Sequence, residues 1–440
     1  MREDRRWMLR RKAFALAIGL AVVGGTLLAA PSTATPVLVR YRFNSQLKMV
    51  TTREPEVPLE IRKLVIAPGF KAVPDIAPAS THYPMYALTS RMSAGAGALF
   101  AVNGDFGTKL RQPVHGLMID GELWTTGQHT GNSVAWSEDG RTAYLGRPRL
   151  QIRAFNASTN ARLFDITEWN AHVPTTSTVA AYTSRGGVVT VPPGVANPTK
   201  QDPVWCEALL APLSGTRWSG SARTSIVRTY RVVTQRDPCD GTSLPVGTTP
   251  GAVVLASAYA SSVTNAVKSL QVGDSVKLSW TYAGWPGVTD VMGGGQMLVD
   301  QGVNVAPPWV SGSPHVLDYN PRTAVGIKQG CADLDPVTQC KIYLETVDGR
   351  QALTGWSVGV RLPWLADSMI QSGAWIAMNL DGGGSETMWT SQTDPAYCQV
   401  FPTVGGCLVQ RPSQPTGERA TRSAIVILPS ADTGAPARLR

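Results

Sequence analysis

Ala374-Trp-Ile-Ala-Met-Asn379-Leu-Asp381-Gly382-Gly383-Gly384-Ser385-Glu386-Thr-Met-Trp389 is the stretch on which the reading of this chain turns. Its apolar opening has the length of a strand, and a second apolar run follows the glycines. An aspartate followed by three glycines at a strand end lets backbone approach a ligand and turns several N–H groups toward it. Asp381 then stands at the mouth of a site, with Asn379 and Ser385 beside it. The plain alternative is a flexible turn joining two strands, so other segments must decide.

Outward from this stretch the same style recurs, with short apolar runs ending in turn residues. Leu99–Val102 precedes Asn103-Gly104-Asp105, Gly116–Ile119 precedes Asp120-Gly121, and Ile342–Val347 precedes Asp348-Gly349. Such spacing predicts many short strands. Val37–Val50 and Leu59–Ala67 alternate as strands, and Pro74–Pro84 reads as a proline-rich connection. Helices are expected over Ala258–Leu270 and Leu362–Ser372; in the second, Leu362, Leu365, Ala366, Met369 and Ile370 recur at helical spacing and Gly373 stops it. The expected class is α+β: a large mixed β-sheet core, a few packed helices and a β/loop-rich insertion.

Met1–Lys12 carries six basic residues against two acidic, an uncharged apolar run spans Ala13–Ala30, and small residues with two prolines follow to Pro36. That order is an export signal, with cleavage after Ala30 or Ala34, or an uncleaved anchor. The domain reading is a signal at 1–34, a β segment and linker at 35–84, one domain at 85–430 with an elaborated surface insertion at 192–249, and a disordered tail at 431–440. A secreted or envelope-associated protein is expected, with no stable membrane span once the signal is removed.

Six cysteines fit that compartment, and nearest-neighbour disulfides are expected: Cys206–Cys239, Cys331–Cys340 and Cys398–Cys407. The five histidines are scattered and no Cys-x-x-Cys occurs, so no metal site and no cofactor is expected. A single Ca²⁺ held by aspartates and carbonyls stays open. The net charge of +9 includes +4 from the leader, which leaves a mildly basic remainder compatible with an anionic substrate. Basic and aromatic residues do not interleave, so nucleic acid is not an expected partner.

Five segments together carry a resemblance: Ala101-Val-Asn103-Gly104-Asp105-Phe106; Val291-Met-Gly293-Gly-Gly295; Asn320-Pro-Arg322-Thr323-Ala-Val-Gly326; Asp348-Gly-Arg350; and Asn379–Glu386. In this order they resemble the phosphodiester glycosidase family, from about Leu88 to Leu428. One departure is Gly107, where that family commonly has a second aromatic residue. The resemblance implies a hydrolase acting on a sugar joined through C1 to a phosphodiester, such as N-acetylglucosamine-1-phosphodiesters. It implies a carbohydrate-phosphate substrate, with envelope glycopolymer a candidate.

Under that reading Asp381 acts at C1 as nucleophile or as base, and Asp348 or Asp105 supplies a second carboxylate. Arg322 and Thr323 would hold the phosphate, and Asn103, Asn379, Gly382, Gly383 and Ser385 would bind sugar or phosphate oxygens. Glu386 ranks as a lesser third acid. A phosphate leaving group with a second pKa of about 6 departs without a strong general acid.

Three rival readings exist, of which a metal-dependent phosphodiesterase lacks the His/Asp clusters that paired metals require. Gly355-Trp-Ser357-Val-Gly359 matches a nucleophile elbow, but that class needs a histidine after the serine and the last one is His315. A non-catalytic carbohydrate or envelope binder on the same fold, using some of the thirteen tryptophans as platforms, is the third.

Overall fold

The computed structural model describes residues 37–429, apart from 45–46, 55–57, 68–72, 83–84, 109–110, 128–130, 172–177, 187–204, 220, 222, 236–243, 247–249, 259–266, 308–317, 332–339, 393–397 and 399–400. The expected export signal, the tail at 431–440 and most of the expected helix Ala258–Leu270 fall outside them.

Among the described residues β-structure dominates, and it forms four sheets of eight, nine, five and six strands rather than one large mixed sheet. Among the described strands the ladders are antiparallel except for Glu168–Trp169 beside Val179–Thr183. Short polar turns favour this outcome, because a parallel return needs a crossover of a dozen or more residues.

The five-stranded sheet explains the architecture. It is built around Val288–Gly294, a strand buried at every position. One of its faces, with Leu117, Val134, Trp136 and Met292, packs into a core shared with the eight- and six-stranded sheets. The other, with Met118, Ala135, Tyr144 and Val291, packs against the nine-stranded sheet through Ile152, Ile226 and Trp280. A wall between two cores has no solvent face, so its central strand has no polar alternation.

The eight-stranded sheet is covered on its outer side by the helix Leu362–Ser372, whose bounds match the sequence reading. Leu362, Leu365, Ala366 and Met369 pack on Leu59, Ala324, Tyr343 and Ala377. Gly373, at φ 99°, ends the helix: its N–H donates to the Ile370 carbonyl and the following Ala374 N–H to the Met369 carbonyl, a conformation in which a Cβ on residue 373 would be strained. A shorter helix, Thr89–Ala96, packs on the six-stranded sheet.

Two segments differ from expectation. Leu59–Ile66 pairs with Ile342–Val347, which draws the N-terminal strands into the eight-stranded sheet, and Val73–Pro78 is an edge strand of the six-stranded one. Proline is tolerated there because one edge faces no ladder partner. The 192–249 segment, expected as a surface elaboration, supplies Trp205–Pro212 and Ile226–Gln235 to the interior of the nine-stranded sheet.

Cys331–Cys340 and Cys398–Cys407 are disulfides, as the spacing predicts, and such bonds persist in oxidising compartments. Cys206 is also disulfide-bonded, while Cys239 lies outside the described residues. No described helix is long and apolar enough to cross a membrane.

Candidate active site

Strand Ile376–Asn379 leaves the eight-stranded sheet, and the chain re-enters the six-stranded sheet as Met388–Thr390 beside Phe100–Asn103. The glycine turn therefore spans the seam between two sheets. Asn103, fully buried at that seam, ties it together. Its Oδ1 accepts from the Thr323 hydroxyl at 2.7 Å and from the Thr387 N–H at 3.1 Å, and its Nδ2 donates to the Asp381 carbonyl at 2.6 Å. Further bonds run from the Leu380 N–H to the Thr323 carbonyl and from the Asp381 N–H to the Gly104 carbonyl. Segments scattered through the chain thus meet at one place: Asn103–Asp105, Thr323 and Asp381.

The Asp381 carboxyl accepts from the Gly382 N–H at 2.9 Å and lies 3.5 Å from Arg419. Burial pushes its pKa above the ordinary carboxylate value, with nearby Asp105 adding to the rise. Hydrogen bonding from Ser385, the Arg419 charge and the Gly382 N–H oppose it. Asp105 is buried and fully engaged. Oδ1 accepts from the Phe106 N–H at 2.7 Å and meets His115 Nδ1 at 2.8 Å, and Oδ2 accepts from the His115 N–H at 2.9 Å.

His115 did not stand out in the sequence. A lone histidine ten residues past Asp105 carries little signal of its own, although glycines follow it. The structure gives those glycines a purpose. A Cβ at Gly127, Gly131 or Gly293 would lie under 3.0 Å from His115 atoms, so only glycine leaves room for this residue.

Arginines surround the turn. Arg419 donates through Nε to Ser385 Oγ at 2.9 Å and through Nη2 to the Gly382 carbonyl at 3.4 Å. Arg350 donates to Asn320 Oδ1 at 3.0 Å and lies against Gly383, where a Cβ would be 3.1 Å from its Nη2. Gly383 itself has φ 60°. Arg422 donates to the Thr108 carbonyl at 2.9 Å and fills the space beside Gly107, where any Cβ would collide with its guanidinium. Burial lowers the Arg422 pKa, and the Asp381 charge raises it. The departure at Gly107 is thereby explained: an arginine stands where a side chain on residue 107 would.

The other expected residues are placed differently. Arg322 and Thr323 are neighbours on one strand and so point to opposite faces. Thr323 faces Asn103, while the Arg322 guanidinium is buried toward the helix side, donating to the carbonyls of Val360 at 3.2 Å and Asp318 at 3.1 Å. Burial, then the Arg350 charge, lower its pKa to about 10.

Asp348 is fully buried in an ion pair with Arg62, and its other oxygen accepts from Trp356 Nε1 at 2.6 Å and from the Arg411 N–H at 3.1 Å. Both of its carboxyl oxygens are thus engaged within the protein. Glu386 is buried nearby, its carboxyl pushed well up by desolvation and then by the Asp348 charge. Asn379 is buried in the ladder opposite Ala324, and its Oδ1 has no partner among the described residues.

Among the described residues, Asp75, Asp120 and Asp290 are the acids close enough to share a cation, with oxygens within 4.8 Å of one another. Asp290 already accepts from the Asp120 N–H and the Thr289 hydroxyl. None of the residues around Asp381 belongs to this group.

Residues 230–428 match the phosphodiester glycosidase family. The matched stretch holds Thr323, Arg350, Asp381–Ser385, Arg419 and Arg422. Asn103, Asp105 and His115 lie outside it and are joined to it by the hydrogen bonds above. No curated protein matches the chain significantly.

Among solved structures, a hypothetical protein from Synechocystis superposes with a TM-score of 0.60 at 16% identity, covering 90% of this chain and 64% of that one. This chain therefore spans less than two thirds of that protein. A Burkholderia pseudomallei protein proposed to be exported gives 0.56 at 20% identity, with 86% and 74% covered. These two share the fold. The zebrafish N-acetylglucosamine-1-phosphodiester alpha-N-acetylglucosaminidase catalytic domain, auto-inhibited by its pro-peptide, gives 0.38 at 13% identity with 89% and 82% covered, too low to support more.

Proposed function

We propose that this protein is an exported hydrolase that cleaves sugar-1-phosphodiesters, acting on phosphate-linked glycopolymers of the cell envelope. The observation that carries the reading is Asp381, set on a three-glycine turn among Arg350, Arg419 and Arg422 and beside the Asp105–His115 pair. The family match over residues 230–428 supports the reaction class.

In this reading Asp381 takes a proton from water as the water oxygen bonds to C1. The C1–O bond breaks, its electron pair stays on the bridging oxygen, and a phosphate monoester leaves as an anion. A leaving group of that basicity needs no strong general acid. The raised pKa makes Asp381 a stronger base than an exposed aspartate. Arg419, Arg350 and Arg422 receive the phosphate charge, in place of the Arg322 expected from sequence. Asp105 orients the His115 ring through its contact with Nδ1. Asp348, enclosed by Arg62, Trp356 and Arg411, becomes a positioning residue for the loop that carries Arg411.

The test is release of free sugar from an N-acetylglucosamine-1-phosphodiester by the exported form of the protein. Asp381→Asn is expected to lose about a hundredfold or more, the scale of a lost general base, while keeping parental circular dichroism. In ¹⁸O water the label is expected in the sugar. Parental turnover in Asp381→Asn, or label in the phosphate, would reject this mechanism.

A further inference from the structure

A cleft of about 580 Å³ opens between the nine- and five-stranded sheets, and no residue of the glycine turn lines it. Its size falls within the range of roughly 300–1,000 Å³ typical of small-molecule sites. The inner wall includes Gly116 and Gly131. These flank the histidine: Gly116 follows it in the chain, and the missing side chain of Gly131 leaves space for the Cδ2–Nε2 edge of the ring. His115 is thus packed behind the wall that Gly116 and Gly131 form, with its Nδ1 held by Asp105.

Its floor is apolar with hydroxyl groups set into it. Ile152, Ser133 and Tyr282 are buried there, and Leu150 is half-buried at the side. The Tyr282 hydroxyl is buried and has no hydrogen-bond partner among the described residues. Burial also raises its pKa, so it remains an O–H donor. An unpaired buried hydroxyl is costly, and a ligand oxygen in the cleft would satisfy it. The exposed rim carries Arg147 and Arg149. Arg153 beside them donates to Gln151 at 2.7 Å, and its Nε lies 3.9 Å from the rim aspartate Asp165, which also pairs with Arg162 at 2.5 Å.

We infer that this cleft is a second carbohydrate subsite, seating one pyranose ring over Leu150 and Ile152 with a ring hydroxyl on Tyr282 and the adjoining phosphate at the arginine rim. A sugar-phosphate chain held there presents its next unit to His115. Assigning the ring to the substrate chain rests on the function proposed above, whereas binding in the cleft does not.

Calorimetric titration of the intact protein with N-acetylglucosamine 1-phosphate tests this. Two equivalents are expected to bind the parent and one to bind Leu150→Trp, which fills the cleft. Tyr282→Phe is expected to weaken the second equivalent about tenfold, and it carries the test alone if Leu150→Trp melts early. Both variants should hydrolyse a minimal single-sugar diester at parental rates and lose rate on oligomers. Stoichiometry and affinity unchanged from the parent in both variants overturn the subsite, whatever the parental number of equivalents. So does equal occupancy by inorganic phosphate alone, since only the rim would then be used. Absence of diester turnover would count against the proposed function and leave the titration result standing.

Discussion

Removing the Asn103 amide should unfasten the site and the fold together. Truncation to alanine deletes three buried hydrogen bonds, to the Thr323 hydroxyl, the Thr387 N–H and the Asp381 carbonyl. The Thr323 hydroxyl can rotate toward another acceptor, but the two backbone groups cannot. Each stranded group costs about 1–3 kcal/mol, so Asn103→Ala should destabilise by about 2–6 kcal/mol.

Thr323→Val removes one donor and leaves Asn103 Oδ1 with the Thr387 N–H, for about 1 kcal/mol. Because both changes delete the same bond, Thr323→Val in the Asn103→Ala background should cost almost nothing, a coupling of about 1 kcal/mol. Urea denaturation of the four proteins with a common slope measures this. A loss below about 1 kcal/mol for Asn103→Ala, or strict additivity in the cycle, would mean that Asn103 does not join the two sheets as described.

Two further outcomes are expected. Glu60 is buried beside Arg62 and Asp348, and desolvation raises its pKa from 4.5 to about 7. A raised folded-state pKa gives stability that is full below pH 4.5 and is lost as pH rises through about 7. Glu60→Gln should therefore match the parent near pH 4 and exceed it by about 3 kcal/mol at pH 8; an equal urea midpoint difference at both pH values would refute this. Gly107→Ala should drive Arg422 from its place, since a Cβ there collides with the guanidinium. KM for the diester should then rise several-fold in Gly107→Ala and rise no further when Arg422→Ala is added, and additive effects would contradict the packing.

Local chemistry was legible without coordinates. Strand-rich organisation, the helix Leu362–Ser372 with its Gly373 stop, and the Cys331–Cys340 and Cys398–Cys407 pairs all depend on residues within about a dozen positions of each other. The glycine turn at Asp381 could be read for the same reason, since three consecutive glycines leave few other conformational uses. The surface reading of 192–249 failed because its proline, serine and threonine content masked the alternation in Ile226–Gln235, half of whose face lies in a core.

What the sequence determined by itself was therefore the strand-rich organisation, the helix Leu362–Ser372 and the loop that bears Asp381. Tertiary structure alone decided which strands share a sheet, because ladder bonds are chemically alike and partners are selected by the cores that close around them. It alone set Arg322 away from Thr323, brought His115 onto Asp105 through a bed of glycines, and drew Arg419 and Arg422 from a polar loop to the turn. Those relations depend on the three-dimensional packing of distant segments, and no local pattern of residues encodes them.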